Sequence, residues 1–443
     1  MKKIKLEKII EVLNGMEVEI KKYKNKMVKG ISIDSRAIKD GELFFALKGK
    51  KFDGHDFVGE AIKKSHLPAV VQEKVRNEGL ILVEDTLKSL GKLASYYREI
   101  IDPFIIAITG SYGKTTTKEF LGAIFQTTAP TLVSFKNYNT LIGVPLNIFR
   151  FEDEEVAILE LASNRKGEIK SLSEIVKPDV GLITGIGRSH LEAFGDEKGV
   201  LQEKKDIMST LRGPLFINGD DELLRSIERD NLITIGFKDN NDYSFKLLQE
   251  SIDGSIFGIN GKEFWIRLPT LGMTRCALFA TAIALHRGIS SEAIQKGLKS
   301  VESIPHRMQI KRVQGITIID DTYNSNPDSL LNVIPILERM PGRKLAVLGP
   351  MLELGKKSDE LHRKAGEKLQ GKIDDLIVIG EKAKGFLETF GRGHLVSNKK
   401  EGFEKVKELI RRGDVILFKS SRFLQLETLV KRLEDECSIS YIP

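Results

Sequence analysis

The strongest chemical signal in the chain is Gly110-Ser111-Tyr112-Gly113-Lys114-Thr115, followed by Thr116. It lies between Phe104-Ile105-Ile106-Ala107-Ile108-Thr109, an apolar run with the pattern of a buried strand, and a helical stretch from Lys114 to about Phe125. In a strand–loop–helix unit the loop N–H groups and the helix N-terminus point at an anion, and glycines let the main chain wrap phosphates closely. Lys114 then neutralises the β- and γ-phosphates of ATP, while the Thr115 hydroxyl ligates Mg²⁺. The common phosphate loop has four residues between its glycine and Gly-Lys. Here there are two, and Ile108 stands at the position of the usual first glycine.

Two further residues are placed to join this site. Glu160 follows the apolar strand Val156-Ala157-Ile158-Leu159, as a metal-coordinating acid does at a sheet edge. His190, in Ser189-His190-Leu191-Glu192-Ala193-Phe194-Gly195, follows the run Val180-Gly181-Leu182-Ile183-Thr184 and can reach the same crevice. A strand-end glutamate or a lone histidine is by itself an ordinary structural residue. The phosphate loop upstream is what makes both of interest.

These residues need a scaffold, and its outline can be read along the chain. A length of 443 residues exceeds one compact core and predicts about three domains. Residues 1–102 mix short strands and helices, including Gly41-Glu42-Leu43-Phe44-Phe45-Ala46-Leu47 and Ala69-Val70-Val71, and close at Asp102-Pro103, where proline disfavours a preceding helical residue. Residues 103–305 read as a parallel α/β sheet around the phosphate loop. A second α/β series fills 306–443, with strands at Ile316–Ile319, Leu345–Leu348, Leu376–Ile379 and Val415–Phe418. The expected fold is therefore α/β in three domains: a small N-terminal one, a central phosphate-loop ATPase domain and a C-terminal Rossmann-like one.

Composition narrows the function classes. With 41% apolar and 30% charged residues the chain is a globular protein and not a disordered one. The net charge of +7 and the phosphate loop together raise the alternative of a nucleic-acid-dependent ATPase. Lysines and arginines are interleaved with acids throughout, without a basic tail, so anionic small substrates explain the charge as well. The basic N-terminus leads into amphipathic sequence with no apolar signal segment and nothing long enough to span a bilayer, which reads as cytoplasmic. Cys276 and Cys437 form no metal-ligand pattern and read as buried thiols.

In this order the short phosphate loop, the strand-end Glu160 and His190 resemble the Mur ligase family, and the resemblance covers nearly the whole chain. Ile33-Asp34-Ser35-Arg36, Gly41–Gly49 and Phe52-Asp53-Gly54-His55-Asp56-Phe57 resemble its UDP-binding domain, which implies substrate contacts from Ser35, Arg36, Lys48, Asp53 and His55, with Asn139 from the central domain. Lys204, fourteen positions after His190, falls where the family carries a carbamylated lysine, and Lys205 is its competitor. His306-Arg307-Met308 and Asp320-Asp321-Thr322-Tyr323-Asn324-Ser325-Asn326-Pro327 resemble segments that reach ATP from the C-terminal side, implying roles for Arg307, Asp321, Tyr323 and Asn326. Lys419-Ser420-Ser421-Arg422 resembles a near-terminal Lys-Gly-Ser-Arg.

The resemblance implies an ATP-dependent amide-forming ligase. Lys114, His190 and Lys204 would be catalytic, with two Mg²⁺ ions held by Thr115, Glu160, His190 and Lys204. Glu160–Ile169, His190–Gly195 and Met351-Leu352-Glu353-Leu354-Gly355 are similar to the branch that adds D-alanyl-D-alanine to UDP-N-acetylmuramoyl-tripeptide in peptidoglycan precursor synthesis. A sister Mur-type ligase adding another amino acid is the alternative within the family. The chain would act as a monomer. It departs from the pattern at Thr140-Leu141, where Asn and Glu are common, at Thr274-Arg275-Cys276-Ala277-Leu278 in place of an adenine-side His-Asn-x-x-Asn, at Pro350 and at His306, where glycine is common.

Overall fold

In the structure, a computed structural model, residues 1–443 are described except Lys50, Ile252, Asn260, 268–270 and 440–443, together with the side chains of 271 and 437–439. Phe104–Thr109 forms the inner strand of a seven-stranded sheet, and every residue from Ile105 to Thr109 is buried, as a parallel strand covered on both faces must be. The sheet runs Tyr243–Ser244, Leu232–Gly236, Leu215–Asn218, Val180–Ile183, Phe104–Thr109, Val156–Glu160, Thr131–Val133, parallel throughout. After Phe104–Thr109 the chain fills one side first and then crosses to Val180–Ile183. The loop after Thr109 thus sits where the winding reverses, the point at which such a sheet leaves a crevice. Register sets Glu160 beside Ile108 and Ile183 beside Thr109, which brings both neighbouring strand ends to that loop.

A three-stranded antiparallel meander follows, Lys246–Ser251, Gly254–Ile259 and Lys262–Ile266. It is absent from the α/β alternation read from sequence. Helix Leu271–His286 then returns to pack on helix Lys114–Phe125.

The C-terminal sheet has six strands in the order Gln309–Val313, Ile316–Asp321, Val415–Lys419, Lys344–Leu348, Asp375–Ile379, His394–Val396, with only the first pair antiparallel. Asp321 and Lys419 are register partners at the end of this sheet. His306, in place of a glycine, adopts a left-handed conformation with φ of 60°, which explains why glycine suits the position. Here the ring Nδ1 lies 2.9 Å from Asp320 Oδ2.

The N-terminal sheet, Met16–Val18, Leu80–Leu82, Ala69–Val71, Glu42–Phe45, Gly30–Ser32, is antiparallel only at its Met16–Val18 edge. Helix Thr86–Ile101 leads out of it and ends at Asp102 with φ of 47°. Arg98 of that helix is fully buried: its Nε donates to Val176 O at 2.9 Å, Nη2 to Lys177 O at 3.1 Å and Nη1 to Asp102 Oδ1 at 2.6 Å. Removing it strands buried acceptors, so Arg98→Ala should cost about 2–3 kcal/mol. A thermal melt within 1 °C or so of the parent would contradict this, since about 1 kcal/mol shifts Tm by a few degrees. Among the described residues no helix is long and apolar enough to cross a membrane. Cys276 is buried, whereas the side chain of Cys437 lies outside the described residues.

Candidate active site

The phosphate loop is fixed by protein contacts on its sheet side. Gly110 and Gly113 have φ of 139° and 78°. A Cβ on Gly110 would lie 2.2 Å from Thr184 Oγ1, and one on Gly113 would lie 3.1 Å from Cys276 Sγ, so both conformation and space demand glycine. Ser111 N donates to Gly185 O at 2.9 Å, and Gly187 N donates to Ser111 Oγ at 3.0 Å. The Thr184 hydroxyl donates to Tyr112 O. Burial pushes the Tyr112 phenol up to about 12, so it stays neutral.

At the start of helix Lys114–Phe125, Lys114 Nζ donates to Gly110 O at 2.6 Å. Burial lowers its pKa, an effect opposed by Glu160 and reinforced by Arg307. Thr115 Oγ1 donates to Glu160 Oε2 at 2.9 Å, and Asn139 Nδ2 donates to Glu160 Oε1 at 2.9 Å. Both carboxylate oxygens are thereby aimed by neighbours. The segments flanking the first two strands of the C-terminal sheet supply the opposite wall: Arg307 Nη2 donates to Thr115 Oγ1 at 3.0 Å, and its guanidinium stands 4.1 Å over the Tyr323 ring. Asp321 accepts from Met308 N at 3.1 Å and pairs with buried Lys419. Asn326 Oδ1 accepts from Ser329 N at 2.8 Å and so caps helix Pro327–Leu331.

These residues enclose a cavity of about 400 Å³. Ser111 to Thr116, Asn139, Glu160 and His190 line it from the central region, and Arg307, Asp321, Tyr323 and Asn326 from the C-terminal one. Of the residues expected at ATP or metal, Gly110 and Lys204 stand off the wall. Lys204 is 2% exposed and donates to Ser163 Oγ at 2.8 Å, behind Ala162 and Asn164, which do line the cavity. Burial, then the charge of Lys114, pushes its pKa down to about 7. Glu203 sets the helix phase, since its carboxylate accepts from Gly167 N at 2.7 Å and Ile169 N at 2.9 Å at the start of helix Glu168–Val176. Lys205, one step round the helix, is partly exposed. His190 sits at φ of 54° with Nδ1 2.6 Å from Glu353 Oε2.

The residues expected at UDP fall into two groups of the N-terminal domain. Ser35 Oγ donates to Glu60 Oε2 at 3.2 Å, and Arg36 grips Asp34 through Nε at 2.9 Å and Nη2 at 2.8 Å. In the second group Asp53 Oδ1 lies 2.6 Å from His55 Nδ1, and Gln72 N donates to His55 Nε2 at 3.1 Å. Nδ1 must therefore carry the hydrogen, and the buried His55 is a strut with both nitrogens in use. Asp53, His55 and Glu73 have metal-like spacing, but Lys48 Nζ already stands 3.5 Å from Asp53 Oδ2 and 3.8 Å from Glu73 Oε1. Asn139 lies apart from both groups, in the cavity beside Glu160.

Sequence reasoning missed part of the wall. Gly272, Arg275, Cys276 and Phe279 line the cavity at helical spacing on Leu271–His286, while Thr274 and Leu278 are buried. The helix is apolar on every side, Cys276 and Phe279 being buried as well, so its sequence carried no signal for the face that meets the cavity. Lys419 and Glu353 stand in the sequence only as members of longer motifs; their contacts with Asp321 and His190 join distant segments.

Comparison with known proteins fits this arrangement. Residues 27–98 match the pattern described as the catalytic domain of the Mur ligase family, 108–285 the Mur ligase middle domain and 306–422 the Mur ligase, glutamate ligase domain. UDP-N-acetylmuramoyl-tripeptide--D-alanyl-D-alanine ligase of Bacillus subtilis is 35% identical over 93% of this chain and 94% of its own. The chain belongs to the Mur ligase family. The enzyme of the same name from Escherichia coli is 29% identical over 98% of both chains. A crystal structure of MurF from Acinetobacter baumannii superposes with a TM-score of 0.91 at 29% identity, covering 98% of this chain and 99% of that one. MurF ligase from Thermotoga maritima in complex with ADP gives 0.84 at 29% identity over 92% and 97%. In this Mur ligase the cavity straddles the join between the middle and C-terminal matched regions.

Proposed function

We propose that this Mur ligase joins D-alanyl-D-alanine to UDP-N-acetylmuramoyl-tripeptide at the expense of ATP, through an acyl phosphate, in cytoplasmic peptidoglycan precursor synthesis. The carrying observation is the cavity in which Lys114, Glu160 and Arg307 converge from two domains, in a chain similar from end to end to ligases of that name. In this reading residues 1–102 hold the UDP end, 103–305 hold ATP, and 306–443 complete the ATP and amine sites. Both walls of the cavity come from one chain, so a monomer suffices.

A carboxylate is a poor electrophile, and its oxygen must first become a leaving group. One tripeptide carboxylate oxygen attacks the γ-phosphorus, forming an O–P bond as the β,γ-bridge breaks and ADP leaves. The free amine of D-alanyl-D-alanine then attacks the acyl carbon, the C–O bond to phosphate breaks, and the amine loses a proton as the amide forms. Lys114 and Arg307 hold the transferring phosphoryl oxygens, where fixed cations in a dry site stabilise developing charge. Docking of Tyr323, Asp321 and Asn326 over the loop keeps water from the acyl phosphate.

The oxygen donors Thr115 and Glu160 suit a hard cation, and His190 with a carbamylated Lys204 would hold a second. Bound there, Mg²⁺ would offset phosphate charge. The buried, easily neutralised amine of Lys204 is the group in this set that fits carbamylation.

The test is ADP release across a panel of nucleotide-peptides and amines. Release should be fast only when UDP-N-acetylmuramoyl-tripeptide and D-alanyl-D-alanine are both present. Equal release without amine would mark a simple ATPase, preference for a single amino acid a sister ligase, and stimulation by nucleic acid the remaining alternative.

A further inference from the structure

The loop that carries His190 is gripped from the C-terminal domain at two points. Asp328 Oδ2 accepts from Arg188 N at 2.9 Å. Beyond it, Glu192 N donates to Glu353 O at 3.2 Å, and the Glu353 carboxylate reaches to 2.6 Å from His190 Nδ1. Both residues of this pair hold left-handed backbone conformations, φ 54° at His190 and 66° at Glu353, which non-glycine residues keep only when their surroundings impose them. The surroundings are firm. Met351 and Leu354 are buried, Met351 N donates to His362 Nε2 at 2.9 Å, and Leu352 N donates to Ser421 Oγ at 2.9 Å. A Cβ on Gly355 would lie 3.3 Å from Glu192 Cα, so the strap lies directly on the helix that His190 precedes.

A ring nitrogen this close to a carboxylate oxygen carries the hydrogen, so the neutral ring, the form that binds a metal, has its lone pair on Nε2. His190 lines the phosphate cavity. We propose that Glu353 is a positioning residue: a carboxylate of the C-terminal domain that accepts a hydrogen bond from Nδ1–H of His190, fixes the ring, and so sets Nε2 as the cation ligand only while the two domains are docked. The inference rests on the reading of His190 as a metal ligand. It makes the cation site a product of domain docking and not of the central domain alone, and it gives the Met351–Gly355 strap a task that no contact with ATP explains.

Mn²⁺ is the probe, titrated into the full chain with ADP and followed by electron spin echo, in which the ¹⁴N of a directly bound imidazole is visible. Glu353 is half exposed, so its variants should fold. In Glu353→Ala the histidine-dependent Mn²⁺ affinity should fall about 10-fold or more and the ¹⁴N modulation should be lost, since orienting partners of ligands carry effects of that order. Glu353→Gln, whose amide oxygen can still accept from Nδ1, should keep the modulation with a smaller loss. His190→Ala is the reference and should abolish the signal. If His190→Ala loses the signal while Glu353→Ala keeps both signal and affinity, the positioning role is overturned and the metal reading stands. If His190→Ala itself retains the nitrogen signal, His190 is no ligand and both fall.

Discussion

Lys114→Ala should fold and melt like the parent while losing ligation by about 10²–10³-fold or more, the scale set by removal of one preorganised donor at a site of developing charge. Among the described residues the Lys114 side chain makes one hydrogen bond, to Gly110 O, and burial disfavours its charge, so the fold gains little from it. The loop itself is pinned by Ser111, Tyr112 and the strand end after Ile183, none of which needs the lysine. In the phosphoryl-transfer state the balance reverses, because the incoming phosphate supplies the counter-charge that burial withholds. Arg307 would remain as the other cation, and its pairing with Thr115 should keep nucleotide binding measurable. Parallel thermal melts and ADP-release assays check both halves. Turnover near that of the parent would remove the phosphate-loop assignment, and a collapsed melt would show that the lysine is structural.

Much of the fold was legible because its strands are buried on both faces. Phe104–Thr109, Val156–Glu160 and Val415–Lys419 appear as unbroken β-branched and apolar runs, which parallel sheets impose. The meander 246–266 was not, because its first strand opens with four exposed residues in a row and the strands are joined through Gly254 and Gly261, a pattern that also fits surface loops. At the site, residues contiguous in sequence with a strand end were recoverable. Glu353 was not recoverable as a partner of His190, since only docking of two domains brings them together. Asn326 and His55 have structural work that their types and places did not reveal: Asn326 caps a helix while it lines the cavity, and His55 braces Asp53 and Gln72. Two adjacent lysines, 204 and 205, differ only in helix phase, and that phase is fixed by Glu203 reaching across to the start of another helix.

That phase leads to the second large effect. Lys204→Ala should lower ligation about a hundredfold or more, in the range seen when a ligand for transition-state charge is lost, whereas Lys205→Ala should keep most activity because its side chain points about 100° away round the helix. The chemistry turns on the neutral amine, the form that adds CO₂. An exposed lysine with a pKa of 10.5 is neutral in about one molecule in three thousand at pH 7. Lys204, brought down to about 7 by burial and by Lys114, is neutral in about half. Acidifying through pH 7 should therefore protonate it and lower activity, and added bicarbonate should oppose that loss. Linkage gives the same sign for stability. The unfolded lysine binds the extra proton between about pH 7 and 10.5, so CO₂-free protein should gain stability as pH rises through that window, a slope Lys204→Ala should lack. Carbamylation turns a buried cation into an anionic oxygen donor, the type a hard cation prefers. A small carboxylate such as acetate can occupy the space left in Lys204→Ala and supply those oxygens, so it should restore part of the activity and do nothing for Lys114→Ala. Labelled bicarbonate should give a carbamate ¹³C resonance in the parent that is absent from Lys204→Ala and present in Lys205→Ala. A resonance lost from Lys205→Ala, with Lys204→Ala fully active, would move the carbamate one residue on and break the link between helix phase and catalysis.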